Sequence, residues 1–222
     1  MKRELKITSD GSHTLYAPEL DEHYHSIHGA IQESMHVFID KGIDSLFCKK
    51  IDVLEVGFGT GLNALLTALW CDKHNLSVNY IGIEAFPLDV ELNSALNYSE
   101  ILAVKEKEAE ETFNKIISAK WNDAVNVHSY FTLSKIESYI QEFESDQKFD
   151  IVYFDAFGPN SQKDMWELPV LKKMYDCLKQ KGLFVTYSAK GELKRNLTQI
   201  GFDVETLPGP PGKREMIRAR KI

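Results

Sequence analysis

Three glycines, two carboxylates and an aromatic turn are the residues here whose types and spacing suit chemistry. Gly57, Gly59 and Gly61 stand at alternate positions after the apolar run Ile51, Val53, Leu54 and Val56. That run is short and β-branched, which favours a buried strand over a helix. Beyond the glycines, Leu62, Leu65, Leu66 and Leu69 recur at helical spacing. Strand, glycine turn and helix bring bare backbone against a nucleotide-like ligand; a tight turn with no ligand is the simpler alternative. The spacing E-x-G-x-G-x-G departs from the G-x-G-x-x-G of a dinucleotide fingerprint. Glu84 closes a second apolar run, 23 residues after Gly61. An acid there can accept both hydroxyls of a ribose, or simply stand solvated at a strand end. Asp155 ends a third run, Phe149 to Phe154, and leads into Ala156-Phe157-Gly158-Pro159. An aliphatic amine is protonated at neutral pH, titrating near ~10.4, so it must lose a proton before its lone pair can attack. A carboxylate beside an aromatic–proline turn can orient such an amine and take that proton. Asp155 can otherwise cap the turn behind it. Glu33 is a second candidate for the same work.

From residue 51 strands and helices alternate, which implies a mostly parallel sheet with right-handed crossovers. Strands are expected at 51–56, 78–84, 125–130, 149–155 and 182–187. Helices are expected at 61–74, 88–97, 99–123, 133–143, 169–179 and 190–200, the last closed by Gly201. Residues 202–207 and 215–220 read as strands joined by a Pro-Gly-rich turn too short for a helix, so the last strand runs antiparallel to its partner. Ahead of this core, Asp10-Gly11 marks a hairpin turn, and Leu20 to Phe47 reads as mostly helical. His23, His25, His28 and His36 fall there without an H-x-x-x-H pair, so no metal site is expected. Ligands of open α/β sheets lie outside the carboxyl ends of the strands, where strand order reverses. The strands ending at Val56 and Asp155 flank that point.

At 222 residues the chain is long enough for one α/β domain and too short for two ordinary ones. Hydrophobic residues make up 43% and charged residues 27%, a globular, soluble balance. No apolar run approaches the ~20 residues of a membrane span, and no secretory h-region follows Met1-Lys2-Arg3. Cys48, Cys71 and Cys177 are scattered, which fits a reduced cytoplasm. A net charge of −7 argues against coating nucleic acid through bulk electrostatics but allows a local basic face. Lys190, Lys194 and Arg195 form one basic cluster, and Lys213, Arg214, Arg218, Arg220 and Lys221 another. Lys213 and Arg214, in the Pro-Gly-rich turn, are expected to meet phosphates; Arg218 and Arg220 can equally be solvated strand residues.

The glycine pattern resembles the first motif of the class I S-adenosylmethionine-dependent methyltransferases, and a seven-stranded sheet with an antiparallel terminal hairpin is the arrangement of that class. A narrower resemblance rests on several stretches together. They are Asp10-Gly11-Ser12, Tyr24-His25-Ser26, Gly29 with Glu33 and Val37-Phe38, and Glu55 through Asn63. Glu84 with Phe86-Pro87-Leu88, Asp155 with Phe157 and Pro159, Asp164-Met165-Trp166 and Lys213-Arg214-Glu215-Met216 complete the set. They resemble the methyltransferase domain of the bacterial tRNA 5-methylaminomethyl-2-thiouridine biosynthesis enzymes, over essentially the whole chain. The resemblance implies a Rossmann-like α/β methyltransferase domain over 1–222, with 1–50 an extension and 51–222 the core. It implies S-adenosylmethionine as cofactor and the tRNA anticodon stem-loop as partner. The reaction implied is N-methylation of the 5-aminomethyl group of (2-thio)uridine at the wobble position. It places Glu55, Gly57, Phe58, Gly59, Thr60, Gly61, Asn63, Glu84 and Asp155 at the cofactor, and Asp155 and Glu33 at the transfer. Tyr24, Phe157, Pro159, Trp166, Lys213 and Arg214 fall to the substrate, with the wobble base splayed toward Phe157 and Trp166; Trp166 can otherwise be a core residue.

Two departures stand out. Two-domain members carry a flavin-dependent oxidoreductase that nothing here could house, so the stand-alone form without flavin is expected. Residues 128–132 lack the acid with which many class I enzymes contact adenine, leaving those contacts unassigned. Among other readings, a nicotinamide oxidoreductase is disfavoured by the glycine spacing and the antiparallel tail. A methyltransferase for another small amine remains open. So does a non-catalytic RNA-binding module, against which Asp155 and the intact glycines argue.

Overall fold

The computed structural model describes residues 2–103 and 108–222; residues 104–107, inside the charged stretch expected to be helical, lie outside them. The amino-terminal segment folds around one carboxylate. Strands β1 (Glu4–Ile7) and β2 (His13–Ala17) pair antiparallel across the Asp10-Gly11 turn, and β3 (Glu22–His23) adds to β2. Asp10 accepts from Thr8 Oγ1 (2.7 Å) and Ser12 N (3.0 Å), and from Gln32 N (3.0 Å) in the first turn of helix α1 (Ala30–Ser34). The helix therefore begins at 30, where a side chain from the hairpin satisfies its free N–H. At Gly29 a Cβ would lie 2.8 Å from Asp10 Oδ2, so only glycine admits that carboxylate. The helix expected from Leu20 accordingly shortens to α1 and a π-helical turn, Met35–Asp40. The residues before it form β3 and a wall described below.

The core strands are β4 (Lys50–Val56), β5 (Ser77–Glu84), β6 (Ala124–His128), β7 (Phe131–Glu137), β8 (Phe149–Phe154), β9 (Leu178–Thr186), β10 (Phe202–Pro208) and β11 (Glu215–Lys221). They form one sheet in the order β10-β11-β9-β8-β4-β5-β7-β6. The inner strands from β9 to β7 run parallel, β11 runs antiparallel to both β10 and β9, and β6 runs antiparallel to β7. The inner helices are α2 (Leu62–His74), α3 (Val90–Ser94), α4 (Tyr98–Ala103) and α5 (Ala109–Ser118). Leu62, Leu65, Phe113 and Ile116 pack one apolar layer with Ile51, Val53 and Ile151. Helices α6 (Leu168–Cys177) and α7 (Gly191–Ile200) pack the other through Leu171, Met174, Leu193 and Leu197 against Val152, Phe154 and Phe184. No helix of the described residues is long and apolar enough to cross a membrane.

The main correction concerns 133–143, expected as a helix and found as β7 with a short turn after it. Leu133, Ile136, Ile140 and Phe143 mimic helical spacing. The true period is two, with Phe131, Leu133 and Lys135 buried on one face. Lys135 hides that alternation because it is charged yet 3% exposed. Its Nζ donates to Ile117 O at 3.0 Å and lies 4.9 Å from the Trp121 ring centroid. Burial pushes its pKa down to about 8. With β7 the sheet has eight strands among the described residues, one more than expected.

Candidate active site

Where strand order reverses, between β4 and β8, the carboxyl ends of the strands open into a cavity of about 960 Å³. Gly57, Phe58, Gly59, Glu84 and Asp155 line it. Glu55, Thr60, Gly61 and Asn63 do not; they lie behind the lining and hold it. Gly57 has φ +88°, and a Cβ there would sit 2.5 Å from Asp155 O, so the two strand ends meet only through a glycine. Gly57 N and Phe58 N both donate to Ile83 O at 3.0 Å, tying the glycine turn to β5. Phe58 packs against Gly82, where a Cβ would be 2.3 Å from its ring.

Glu84 is pinned by backbone. Gly59 N donates to Oε2 at 2.9 Å and Phe86 N to Oε1 at 3.0 Å. Each carboxylate oxygen keeps further acceptor capacity toward the cavity. Behind the turn, Thr60 Oγ1 is hydrogen-bonded to His25 Nε2 at 2.9 Å and accepts from Tyr98 OH at 3.4 Å. Burial pushes the His25 imidazole down to about 4, so the extension braces the turn with a neutral ring. The other three histidines are elsewhere engaged: His36 at Pro208 O (2.8 Å), His23 on the Tyr16 ring, and His28 against Gly212. Among the described residues no group of three potential ligands converges on a metal site.

Asn63 spans two acids, its Nδ2 donating to Glu55 Oε1 and Asp155 Oδ2, each at 2.8 Å. Glu55 is wholly buried, and burial holds its carboxyl well above the usual range. Asp155 is crowded by protein yet open to the lumen. Burial first and the Glu33 charge second push its carboxyl up to about 7, against the Asn63 hydrogen bond and the Lys213 charge. A carboxylate with that pKa exchanges a proton near neutrality.

The lining suits S-adenosylmethionine. A ribose needs an acceptor for paired hydroxyls, which Glu84 offers. A sulfonium is stabilised by a nearby carboxylate, which Asp155 can offer; an adenine needs apolar surface, which Ile83, Phe86, Tyr139 and Ile140 present along the lining. The glycine turn leaves the space that a Cβ would fill.

Residues 103–222, more than half of the chain, match a family described as S-adenosyl-L-methionine-dependent methyltransferase. The chain belongs to that family. This methyltransferase is similar to curated bacterial proteins named tRNA 5-methylaminomethyl-2-thiouridine biosynthesis bifunctional protein MnmC. It is 29% identical to that of Leptospira interrogans, over 95% of this chain and 34% of the relative. It is 31% identical to that of Hydrogenovibrio crunogenus, over 80% of this chain and 26% of the relative. The chain thus spans about a third or less of the curated relatives it matches. The crystal structure of Aquifex aeolicus MNMC2 superposes with a TM-score of 0.78 at 28% identity, covering 98% of this chain and 69% of that one.

Of the residues expected to meet substrate, Tyr24, Phe157, Pro159, Lys213 and Arg214 line the cavity together. The Tyr24 and Phe157 rings meet edge to face, centroids 5.0 Å apart. Arg3 fixes that pair, its Nε donating to Tyr24 OH and its Nη2 to Phe86 O, both at 2.9 Å. Two expectations change. Trp166 is 5% exposed and stands behind the wall, its Nε1 donating to Phe157 O at 2.8 Å. It meets Phe154 edge to face and props the Phe157 loop instead of offering a face to a base. Lys213, expected to reach outward, turns inward: its Nζ pairs with the buried Glu33 and lies 3.8 Å from the Tyr187 ring centroid. Arg214 stands exposed at the rim. The rest of the basic hairpin is spent on the fold, Arg218 on Glu205 and Lys41 O, Arg220 on Lys181 O, and Lys221 on Tyr175 O and Leu178 O.

Sequence reasoning missed Glu22, Tyr187 and the Ser138–Gln141 turn, all of which line the cavity. Tyr187 follows β9 directly, so the strand-end logic that found Glu84 and Asp155 points to it as well. The Ser138–Gln141 turn was hidden by the helical reading of β7, and Glu22 by the helical reading of 20–47.

Proposed function

We propose that this protein transfers a methyl group from S-adenosylmethionine to the 5-aminomethyl group of (2-thio)uridine at the wobble position of tRNA. The observation that carries this reading is Asp155, a carboxyl poised near neutrality on the floor of a cavity it shares with the glycine turn. Bound there, S-adenosylmethionine would supply an electrophilic methyl carbon that a neutral amine attacks in line, with S-adenosylhomocysteine as the leaving group. Glu84 holds the ribose, the glycine turn admits the backbone-hugging part of the cofactor, and Asn63 aims Asp155 at the acceptor. Asp155 takes the proton that frees the amine's lone pair, directly or through one water. Confinement in the cavity contributes most of the rest, since positioning supplies up to roughly 7–11 kcal/mol in favourable cases. Tyr24 and Phe157 offer aromatic surface to a base splayed out of the anticodon loop, in the way single-stranded RNA bases are commonly held. Arg214 at the rim meets the phosphates. Residues 1–50 act with 51–222 as one domain, because Tyr24, His25 and Glu33 complete the cavity.

The likeness to proteins named for tRNA 5-methylaminomethyl-2-thiouridine biosynthesis supports the choice of acceptor. The test is mass spectrometry of nucleosides from tRNA bearing 5-aminomethyluridine, incubated with the protein and S-adenosylmethionine. Gain of one methyl group on that nucleoside is expected. Methylation of free small amines with none on tRNA points to a small-amine enzyme, and tRNA binding without transfer to an RNA-binding module; either sinks the proposal.

A further inference from the structure

The corner of the cavity between Glu33, Tyr187 and Asp155 already holds an alkylammonium, and it is the chain's own. Lys213 Nζ donates to Glu33 Oε1 and lies 3.8 Å from the Tyr187 ring centroid, within direct cation–π range. Both partners are fixed. Glu33 is 5% exposed, and its second oxygen accepts from Ser26 N at 2.8 Å. The Tyr187 hydroxyl donates to Ala156 O, next to Asp155, at 2.9 Å. Burial holds the Tyr187 phenol well above its ordinary range, and the charges of Asp155, Glu33 and Glu22 add to that. One buried carboxylate and an aromatic face thus hold a single ammonium, whose charge also acts on Asp155. That is the chemistry by which an aminomethyl cation is recognised. Lys213 itself is not locked in place. It sits on the turn between β10 and β11, its backbone held by Lys213 N donating to Pro210 O at 2.9 Å. Its flexible stem can therefore withdraw the ammonium without moving the hairpin.

We propose that this corner is the subsite for the acceptor's aminomethyl group, and that Lys213 fills it in the free protein as a place-holder which the acceptor's ammonium displaces. This rests on the reading of an amine acceptor given above. The exchange is neutral in charge, one ammonium entering as another leaves, so Glu33 never stands buried and unpaired. The displaced Lys213 emerges beside Arg214 at the rim, where the phosphates of an RNA chain receive it.

The test is calorimetric binding of the nucleoside 5-aminomethyluridine in the presence of S-adenosylhomocysteine. A site open to the acceptor only part of the time loses apparent affinity in proportion, so Lys213→Met should bind the nucleoside about 10-fold tighter if the corner is free a tenth of the time. Tyr187→Leu, which removes the aromatic face, should weaken binding by about 3- to 30-fold. Unchanged or weaker binding by folded Lys213→Met makes Lys213 a structural brace and overturns the proposal. A measurement on the wild-type protein covers a variant that does not fold. Acetic anhydride labelling of Lys213, read by peptide mass spectrometry, should rise several-fold when 5-aminomethyluridine is added and stay unchanged with uridine. Equal rises with both nucleosides, or none with either, also overturn it. Wild-type methylation of tRNA is scored separately, so failure of the subsite and failure of the broader reading are told apart.

Discussion

Asp155→Asn keeps the side-chain shape and leaves Asn63 Nδ2 an oxygen to donate to, so the variant isolates the charge and the proton. If Asp155 removes the acceptor's proton, kcat should fall by ~10²–10⁴, equivalent to about 2.7–5.4 kcal/mol of transition-state stabilisation. The pH dependence follows from the same group. With its pKa at about 7, the wild-type carboxyl is neutral below that value and charged above it, so kcat/KM should rise with pH and level off near 7. The variant should lack that limb. Stability should move the other way. The folded-state pKa is raised above the ordinary 3.8, so the folded protein binds the extra proton between these values and loses stability as pH climbs from about 4 to about 7. That interval corresponds to ~4 kcal/mol at ~1.36 kcal/mol per pH unit, a ceiling that solvation from the lumen lowers to about 1–3 kcal/mol. Asp155→Asn should therefore be more stable than wild type at pH 8 by about that amount, with the gap closing near pH 4. Steady-state kinetics across pH 6–9 and urea unfolding at pH 4, 6 and 8 read both effects. Wild-type turnover with an unchanged pH limb would refute the assignment.

Glu84→Ala removes hydrogen bonds to a charged acceptor, each set worth ~1.5–3 kcal/mol, so S-adenosylmethionine affinity should drop roughly 10- to 150-fold; calorimetry giving the wild-type Kd in a folded variant discards the ribose role. Arg214→Ala removes one phosphate contact and should flatten the log–log salt slope of tRNA binding by about 0.7–0.9, with cofactor affinity unchanged; an identical slope means the RNA docks on another face. Trp166→Ala empties a buried site and should cost ~3–5 kcal/mol of stability; a variant of wild-type stability with a raised KM for tRNA would restore Trp166 to the substrate.

The sequence alone determined the features that depend on neighbouring residues. The glycine turn, Glu84 and Asp155 each lie at the end of an apolar run, and turn chemistry and side-chain period are properties of a few consecutive residues. The antiparallel terminal hairpin followed from a loop too short to hold a helix. What only the tertiary structure decided depends on partners far along the chain. Lys135 is buried because Trp121 and Ile117 O receive its charge, and a lysine at an inward position broke the alternation that marks β7. The helix after Gly29 starts there because Asp10 reaches it from the hairpin. Trp166 went behind the wall because Phe154 and Phe157 O were waiting for its ring and its N–H. Lys213 and Glu33 are 180 residues apart, and no local pattern records that they pair. Local sequence sets where a charge sits on its own element; whether that charge meets solvent, a ligand or a buried counter-charge is settled only when another element closes over it, because the cost of desolvation is a property of the assembled surroundings.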